Sequence, residues 1–354
     1  MLFAEAPTYD LSIFDPASPP AESIRSLSVL VLAITGFIFV VVEGILIYSI
    51  VRFRRRAADG AAEPPQVYGS KPIEIAWTAA PALIVFVLAL VTARTLWEVN
   101  VPPPQPKEGD NTLFVTVVGR QWWWEYTYDH YNGKPIRAVG RDGKETDLPV
   151  ITANELHIPA APPKGPDETS EEYEKKYRVF LTLKSADVCH SFWVPRLGGK
   201  TDLIPGRTNS MWFRTDRPGL YVGQCAEYCG TQHANMLIRV VVDSPRDFDA
   251  WLENERKPAA DDPDAGAGRS AFLAQSCVNC HRIRGTPSQG GYAPDLTHLM
   301  RRQTLASGMV PNTPEYLRRW VADPQQIKTG CLMPAFGLDD RQRDDIVRYL
   351  ETLR

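Results

Sequence analysis

The sequence has little net charge and few residues of the types that bind soft metals. In 354 residues, 39 lysines and arginines are balanced by 42 aspartates and glutamates, for a formal net charge of −3. This balance gives no reason to expect nucleic acid or another polyanion as a partner. Only 6 cysteines, 6 methionines and 6 histidines are present. An exported chain could use six cysteines as disulfides.

Long apolar runs are confined to the N-terminal part. The chain is long enough for two or three domains, and its mean hydropathy of −0.24 averages unlike regions. Residues 27–51 and 75–97 are almost wholly apolar. Each run can cross a hydrocarbon core of about 30 Å at about 1.5 Å per residue. Both are too long for a signal peptide, and the first is not at the extreme N-terminus. The sequence therefore predicts a transmembrane hairpin over residues 27–97.

Basic residues after the first run predict its orientation. Arg52, Arg54, Arg55 and Arg56 follow the first apolar segment, and such clusters favour the cytoplasmic side. Residues 1–26 and the chain after the second helix are then predicted to face outward. The first residues have no basic n-region and no apolar stretch, so a signal peptide is either missing from this numbering or unnecessary.

A cluster of soft ligands lies in the second half of the chain. Residues 223–236 read Gly-Gln-Cys-Ala-Glu-Tyr-Cys-Gly-Thr-Gln-His-Ala-Asn-Met. Thiolates with imidazole favour copper, zinc or an iron–sulfur cluster over hard cations, and a thioether favours copper over zinc. The cysteine spacing does not fit a Cys-x-x-Cys zinc hairpin or redox dithiol. Upstream, Ser-Ala-Asp-Val-Cys-His-Ser-Phe-Trp-Val-Pro offers a second imidazole at His190.

Together these two segments resemble the dinuclear CuA centre of cytochrome c oxidase subunit II. The resemblance implies two bridging thiolates, two capping imidazoles, a thioether and a backbone carbonyl: Cys225, Cys229, His190, His233, Met236 and Glu227. It also implies that the Glu227 carboxylate binds a Mg²⁺ shared with subunit I, since a hard cation suits a carboxylate and water.

The region 98–256 is predicted to be a cupredoxin CuA domain, an all-β Greek-key sandwich. β-branched and aromatic runs predict strands at 112–118, 178–183, 210–213 and 237–242. The segment from Cys225 to Met236 would be the loop between the last two strands. Residues 159–176 carry an acidic run and are predicted to be a solvated loop.

Two further segments resemble electron and proton paths of the family. In Gly-Arg-Gln-Trp-Trp-Trp-Glu-Tyr, three consecutive tryptophans cannot all face one core, because neighbours on a strand point to opposite faces. The resemblance makes Trp122 the point where electrons enter, with plain packing as the alternative. Trp123 and Trp124 are expected to pack against subunit I or the sandwich. Lys-Pro-Ile-Glu-Ile-Ala-Trp-Thr resembles the segment that opens the K proton channel, with Glu74 at its mouth; a charged flank at the membrane surface is the alternative. Glu43, inside the first apolar run, should face protein rather than lipid.

The C-terminal region carries a haem-attachment motif. Residues 257–268 have the composition of a flexible linker. Beyond them, Cys-Val-Asn-Cys-His is a c-type attachment site, with thioethers from Cys277 and Cys280 and iron ligation by His281. Met333, in Leu-Met-Pro-Ala-Phe, is predicted as the sixth ligand in preference to Met300, Met309 and His298. The backbone carbonyl that orients the His281 ring is expected near Pro294.

Residues 269–354 are therefore predicted to be an all-α class I cytochrome c domain. Phe272 and Tyr349 are expected to pack its first and last helices together. Two cysteines remain, Cys189 and Cys331, which are predicted to be buried apolar residues, with a disulfide between them as the alternative.

The whole chain resembles subunit II of a caa-type oxidase. This implies an electron-transfer subunit of a respiratory haem-copper oxidase, taking electrons from haem c to CuA and on to subunit I, which reduces oxygen to water with proton pumping. Implied partners are subunit I, other membrane subunits, membrane lipid, and an upstream reductase or soluble cytochrome c. The implied location is the bacterial inner membrane, with both soluble domains on the periplasmic or outer face. The alternatives are a CuA-containing nitric oxide reductase subunit and a membrane-bound electron shuttle; quinol oxidase subunits lose the copper ligands.

Overall fold

The structure, a computed structural model, describes residues 11–54, 66 and 68–354. It divides into two compact units, one spanning Glu22–Asn100 and the other joining Val101–Arg354 to the segment that ends at Ala21. Arg55 and Arg56, which entered the orientation argument, lie outside the described residues, as do residues 1–10 of the predicted outward segment.

Two long helices form the first unit. Helix α1 spans Pro19–Arg52 and helix α2 spans Lys71–Val99. At about 1.5 Å per residue, both exceed a hydrocarbon core of about 30 Å. Their most apolar windows have mean hydropathies of 2.7 and 2.3, and no residue of those windows is buried by protein. The predicted pair of transmembrane helices is confirmed, and Glu43 lies half-buried within α1.

A β-sandwich forms the body of the second unit. Its strands are β1 (Leu113–Arg120), β2 (Trp123–Tyr131), β3 (Lys134–Pro135), β4 (Val150–Ala153), β5 (Glu155–Pro159), β6 (Val179–Ser185), β7 (His190–Trp193), β8 (Thr201–Leu203), β9 (Asn209–Phe213), β10 (Gly219–Cys225) and β11 (Leu237–Asp243). One sheet has the order β3-β2-β1-β6-β9, with β4 paired to β2, and the other has the order β5-β11-β10-β7-β8. The β1–β6 and β5–β11 pairs are parallel. This confirms the predicted cupredoxin-like sandwich.

The sandwich core follows from period-two alternation along the strands. Strand β1 buries every second side chain, beginning with Leu113, and β2 buries the aromatic rings Trp124, Tyr126 and Tyr128 completely. The four predicted strands are present with small differences at their ends.

The predicted loop at 159–176 contains a short helix, which corrects the sequence reading. Helix α3 spans Ser170–Lys175, and its N-cap Thr169 and Glu172 form a reciprocal capping box. The Thr-x-x-Glu spacing is the sequence signal that identifies such a helix start, and the acidic run obscured it.

After the sandwich, helix α4 (Pro245–Glu255) packs Phe248 and Trp251 onto the sandwich core. The haem-motif region then contains α5 (Gly266–Ala274), α6 (Cys277–Cys280), the hairpin β12 (Thr304–Leu305) and β13 (Val310–Pro311), α7 (Pro314–Ala322) and α8 (Asp340–Glu351). Helices α5 and α8 cross closely, because a Cβ at Gly268 would lie 1.9 Å from the carbonyl oxygen of Asp345. The rings of Phe272 and Tyr349 meet there at 5.8 Å, which confirms the predicted helix packing.

The stretch predicted to be a flexible linker is packed and partly helical, which corrects that prediction. Ala259 and Ala265 are buried, and the Ala259 amide donates to the carbonyl of Arg284 at 3.0 Å. A 3₁₀ helix spans Pro263–Ala265 and leads directly into α5. A composition rich in small side chains is typical of flexible linkers, but in this segment the small side chains permit close packing.

Candidate copper and haem sites

The predicted copper-binding residues come from two neighbouring strands and the loop that follows. Strands β7 and β10 pair so that Cys225, the last residue of β10, lies opposite Phe192. This register brings His190, the first residue of β7, beside Cys225. The loop from β10 to β11 folds back through a 3₁₀ helix at His233–Asn235, and the Cys225 amide donates to the Met236 carbonyl at 3.0 Å. The loop is therefore anchored at both of its ends.

All the predicted copper-binding groups converge at this loop, with His190 contributed by β7. The Sγ atoms of Cys225 and Cys229 are 3.8 Å apart, and His190, Cys225 and Cys229 are close enough to share an ion. Each thiol is approached by one imidazole and one further group, at these distances: Cys225 Sγ to His190 Nδ1 3.9 Å and to the Glu227 carbonyl 3.2 Å, and Cys229 Sγ to His233 Nδ1 3.5 Å and to Met236 Sδ 3.9 Å. The arrangement has approximate two-fold character, with one imidazole per sulfur.

The chemistry of this donor set fits a copper pair. The hydrogen bond with Cys229 lowers the pKa of Cys225, and His190 adds to the effect, whereas burial opposes it. One thiol therefore loses its proton readily, and metals are bound by the thiolate. Two sulfurs, two imidazole nitrogens and a thioether form the soft set that copper prefers, and all of these residues are buried except His233, which is half-buried.

Asp187 supports this site and was not identified from the sequence. One carboxylate oxygen lies 2.8 Å from Nε2 of His190, and the other accepts from the amide of Gln121 at 2.6 Å. Burial alone would lower the pKa of His190, but the hydrogen bonds with Asp187 and Cys225 outweigh burial and raise it. Because Nε2 faces Asp187, Nδ1 faces the sulfurs, a tautomer choice that partners of metal-binding histidines commonly impose.

The three consecutive tryptophans have different surroundings. Trp122 is buried, and its indole N–H donates to the carbonyl of Cys229 at 3.0 Å. The side-chain amide of Gln121 donates through Nε2 to the same carbonyl at 2.7 Å. Trp124 is fully buried against His190 and Phe192, and Trp123 lies under the guanidinium of Arg120. The alternation predicted for this strand is present.

The second candidate site is a mostly apolar cavity that is lined by the haem-attachment residues. Its lining includes the attachment residues Cys277, Cys280 and His281, together with Met333, and also Trp122 and Trp123. Nδ1 of His281 lies 2.8 Å from the carbonyl oxygen of Pro294, as predicted, which leaves Nε2 for the iron. Burial lowers the pKa of His281, which favours the neutral ring that a metal requires.

The candidate sixth ligands differ in whether they line this cavity. Met333 lines it, whereas Met300 and Met309 do not belong to its lining. His298 is buried, with Nδ1 at 2.9 Å from the Arg354 carbonyl and Nε2 at 3.0 Å from that of Lys257. Both ring nitrogens of His298 therefore contact the backbone.

One half-buried charge suits the carboxylates of a haem. Arg302 lines this cavity, and its partial burial lowers the pKa of its guanidinium. An apolar cavity with paired thiols, a neutral imidazole, a thioether and a half-buried cation fits a covalently attached haem.

Other predicted positions have mixed outcomes. Glu74 lies in the first turn of α2 and is exposed, so its proton role stays a prediction. The Glu227 side chain is half-buried, and its Mg²⁺ role is likewise untested. Cys189 is exposed, which corrects the expected burial, because it precedes the inward-facing His190 and points to the opposite face. Cys331 is half-buried in the haem cavity lining, and both cysteines are free thiols.

Comparisons with known proteins agree with this architecture. Residues 6–94 match the family described as cytochrome c oxidase subunit II, transmembrane domain, residues 168–244 match cytochrome c oxidase subunit II, periplasmic domain, and residues 265–354 match cytochrome c. Cytochrome c oxidase subunit 2 of Alkalihalophilus pseudofirmus is 31% identical over 348 residues, covering 98% of this chain and 91% of that protein. The same subunit of Bacillus sp. (strain PS3) is 34% identical over 361 residues, covering 97% and 92%. The solved periplasmic domain of subunit II of cytochrome oxidase from Bradyrhizobium japonicum is 29% identical, covers 43% of this chain and 97% of that chain, and superposes with a TM-score of 0.31.

A membrane hairpin, a cupredoxin sandwich with paired thiols in one loop, and a cytochrome c domain define a membrane-bound electron-transfer protein. Its cofactors are CuA and haem c. The chain belongs to the cytochrome c oxidase subunit II family. It is a two-pass subunit of a respiratory haem-copper oxidase, with its soluble domains on the outer face of the bacterial membrane. The nitric oxide reductase and free-shuttle alternatives are not favoured, since these relatives are oxidase subunits.

Proposed function

We propose that the converging side chains and carbonyl of the copper loop are the CuA ligands and that residues 98–256 form the copper domain. The thiolates of Cys225 and Cys229 would bridge the metals, and each imidazole would cap one of them. The support is that each sulfur lies within 4 Å of one imidazole nitrogen, at 3.9 and 3.5 Å. The remaining ligands would be Met236 and the carbonyl of Glu227, with His190 and His233 as the caps.

In the cytochrome c domain, residues 269–354, Cys277 and Cys280 would carry the haem and His281 and Met333 would bind its iron. His/Met ligation raises the reduction potential of a haem, which suits a donor late in a respiratory chain. Haem c and CuA supply reversible one-electron oxidation and reduction when bound. The surrounding residues exclude water and hold the ligands in one geometry.

Trp122 would connect the two sites, and this is the observation that carries the proposal. The same side chain lines the haem cavity and donates its N–H to the carbonyl of Cys229 at 3.0 Å. A single aromatic side chain therefore contacts the surroundings of both cofactors. The immediate donor to the haem would be an upstream reductase complex or a soluble cytochrome c, and subunit I would be the acceptor.

Two further roles concern subunit I. The Glu227 carboxylate would bind a Mg²⁺ shared with it, because its carbonyl faces Cys225 while its carboxylate remains available to a hard cation. Glu74 would open a proton channel, as its place in the first turn of α2 is compatible with a position at the cytoplasmic membrane surface.

Replacement of Cys229 by serine in the complete oxidase tests the copper assignment. We expect the mixed-valence copper signal to disappear while the haem c spectrum is retained, because Cys229 lies in the copper loop and not in the haem cavity lining. Two coppers and one covalent haem per chain are expected in the unmodified protein. Zinc or a single copper in carefully reconstituted protein would refute the assignment.

A further inference from the structure

The cytochrome c domain is hydrogen bonded directly to the copper loop. Among the hydrogen bonds that join them in the described part of the chain, three lie on both sides of the proposed ligands His233 and Met236. They are Lys328 Nζ to the Asn235 carbonyl at 2.8 Å, Gln232 Nε2 to the Thr329 carbonyl at 2.6 Å, and the Leu237 amide to the Ser307 carbonyl at 3.3 Å. The loop that would hold the metals is therefore braced by another domain of the same chain.

Lys328 makes the central contact. Its side chain is buried, with a relative exposure of 3%. The ammonium donates to three carbonyl oxygens, those of Trp122 at 2.8 Å, Asn235 at 2.8 Å and Ala306 at 3.0 Å. An ammonium has three donors, so every one of them has an acceptor. Two of these acceptors belong to the copper domain and one belongs to the cytochrome c domain.

Two of the carbonyls that accept from Lys328, those of Asn235 and Trp122, lie beside the proposed cofactor sites. Asn235 immediately precedes Met236, and Trp122 is the residue that lines the haem cavity and contacts Cys229. A shift of either carbonyl would move the copper loop or the indole relative to the haem cavity. Because a buried carbonyl without a donor is unfavourable, loss of the ammonium would favour such shifts.

We propose that Lys328 is a positioning residue that holds the copper loop and the Trp122 backbone at one fixed separation from the cytochrome c domain. This inference rests on the proposed function of the loop as the copper site. Lys328 itself lines the haem cavity, and its ammonium acts on the copper loop through the backbone of Trp122 and Asn235.

A separate contact keeps the two domains together without Lys328. The buried Glu155 carboxylate accepts from the amide of Gln303 at 2.9 Å, from the amide of Thr304 at 2.9 Å and from the Thr304 hydroxyl at 2.8 Å. Loss of Lys328 should therefore loosen the copper loop locally and should not detach the domain. This difference makes the inference specific enough to test.

Amide hydrogen exchange of the complete oxidase in detergent provides the test, with Lys328→Met compared against Lys164→Met. Lys164 is exposed and contacts Ser170, so it controls for the loss of a lysine. In Lys328→Met we expect the Leu237 amide to exchange at least about tenfold faster, equivalent to about 1.4 kcal/mol. The Thr304 amide, held by Glu155, should be unchanged. Copper should also pass to a chelator faster.

Equal exchange at Leu237 in Lys328→Met and Lys164→Met would overturn the inference, as would equal acceleration at Leu237 and Thr304, which would indicate detachment of the domain. If Lys328→Met fails to incorporate haem and copper, Lys328→Gln replaces it, because its amide retains two of the three donors. Its Leu237 amide should still exchange faster than in Lys164→Met, and equal exchange would overturn the inference. The proposed function fails separately, if Cys229→Ser retains the copper signal.

Discussion

Replacing Asp187 by asparagine should weaken copper binding without altering the ligands themselves. The carboxylate now serves three donors at once. One oxygen faces His190 Nε2 at 2.8 Å and the Val188 amide at 2.7 Å, and the other accepts from the backbone amide of Gln121 at 2.6 Å. Asparagine has one acceptor oxygen, so the donors on one side would face an N–H₂ group. Either His190 loses its orientation, or the backbone beside Trp122 loses its support.

The expected loss follows from how such partners affect metal sites. Removing the hydrogen-bond partner of a metal-binding histidine typically lowers metal affinity by about 10- to 100-fold, or about 1.4–2.7 kcal/mol. A chelator-competition titration of the purified oxidase, followed through the CuA absorbance, would measure it. Asp167→Asn, at an exposed position, is the matched control. If Asp187→Asn and Asp167→Asn bind copper equally, the argument that Asp187 orients His190 is wrong.

Three other substitutions have distinct expected outcomes. Trp122→Phe removes the N–H bonded to the Cys229 carbonyl and should slow reduction of the copper site after the haem is reduced by a light pulse. Trp124→Phe, the comparison variant, should slow this step less. The reverse order would contradict the role of Trp122. Glu74→Gln should slow turnover through proton delivery while leaving copper reduction unchanged, and unaffected turnover with saturating donor would make Glu74 a helix flank only. Burial raises the pKa of Glu255 to about 7, so its protonated form favours the folded state and this contribution is lost as pH rises from 4.5 towards 7. Glu255→Gln, which cannot ionise, should leave thermal stability unchanged near pH 4 and add up to about 3 kcal/mol above pH 7; a gain independent of pH would refute this account.

Much of the fold could be predicted because its signals are local in sequence. The two apolar runs are long enough to span a membrane whatever surrounds them, and β-branched runs such as that of β1 alternate with period two. The capping box at Thr169 was equally local, yet the acidic residues that follow it suggested a loop.

The chemistry-bearing residues were predictable for a related reason. Metal and haem attachment require particular atoms, which identify the residue types. In this chain one short segment contains four of the predicted copper ligands, Cys225, Cys229, His233 and Met236, and the haem motif is contiguous. Residues that only support these groups carry no such signature. Asp187 and Lys328 are ordinary charged residues until the fold brings the first to His190 and the second to the carbonyl of Trp122.

By itself, then, the sequence determined the membrane hairpin, the cupredoxin and cytochrome c domains and the groups able to hold copper and haem, because each depends on local spacing or composition. The tertiary structure alone decided that residues 257–268 are packed, that Cys189 is exposed, and that the cytochrome c domain is hydrogen bonded to the copper loop. Those outcomes depend on which distant segments meet. Buried polar groups must find partners wherever the chain places them, and those partners are set by the fold as a whole.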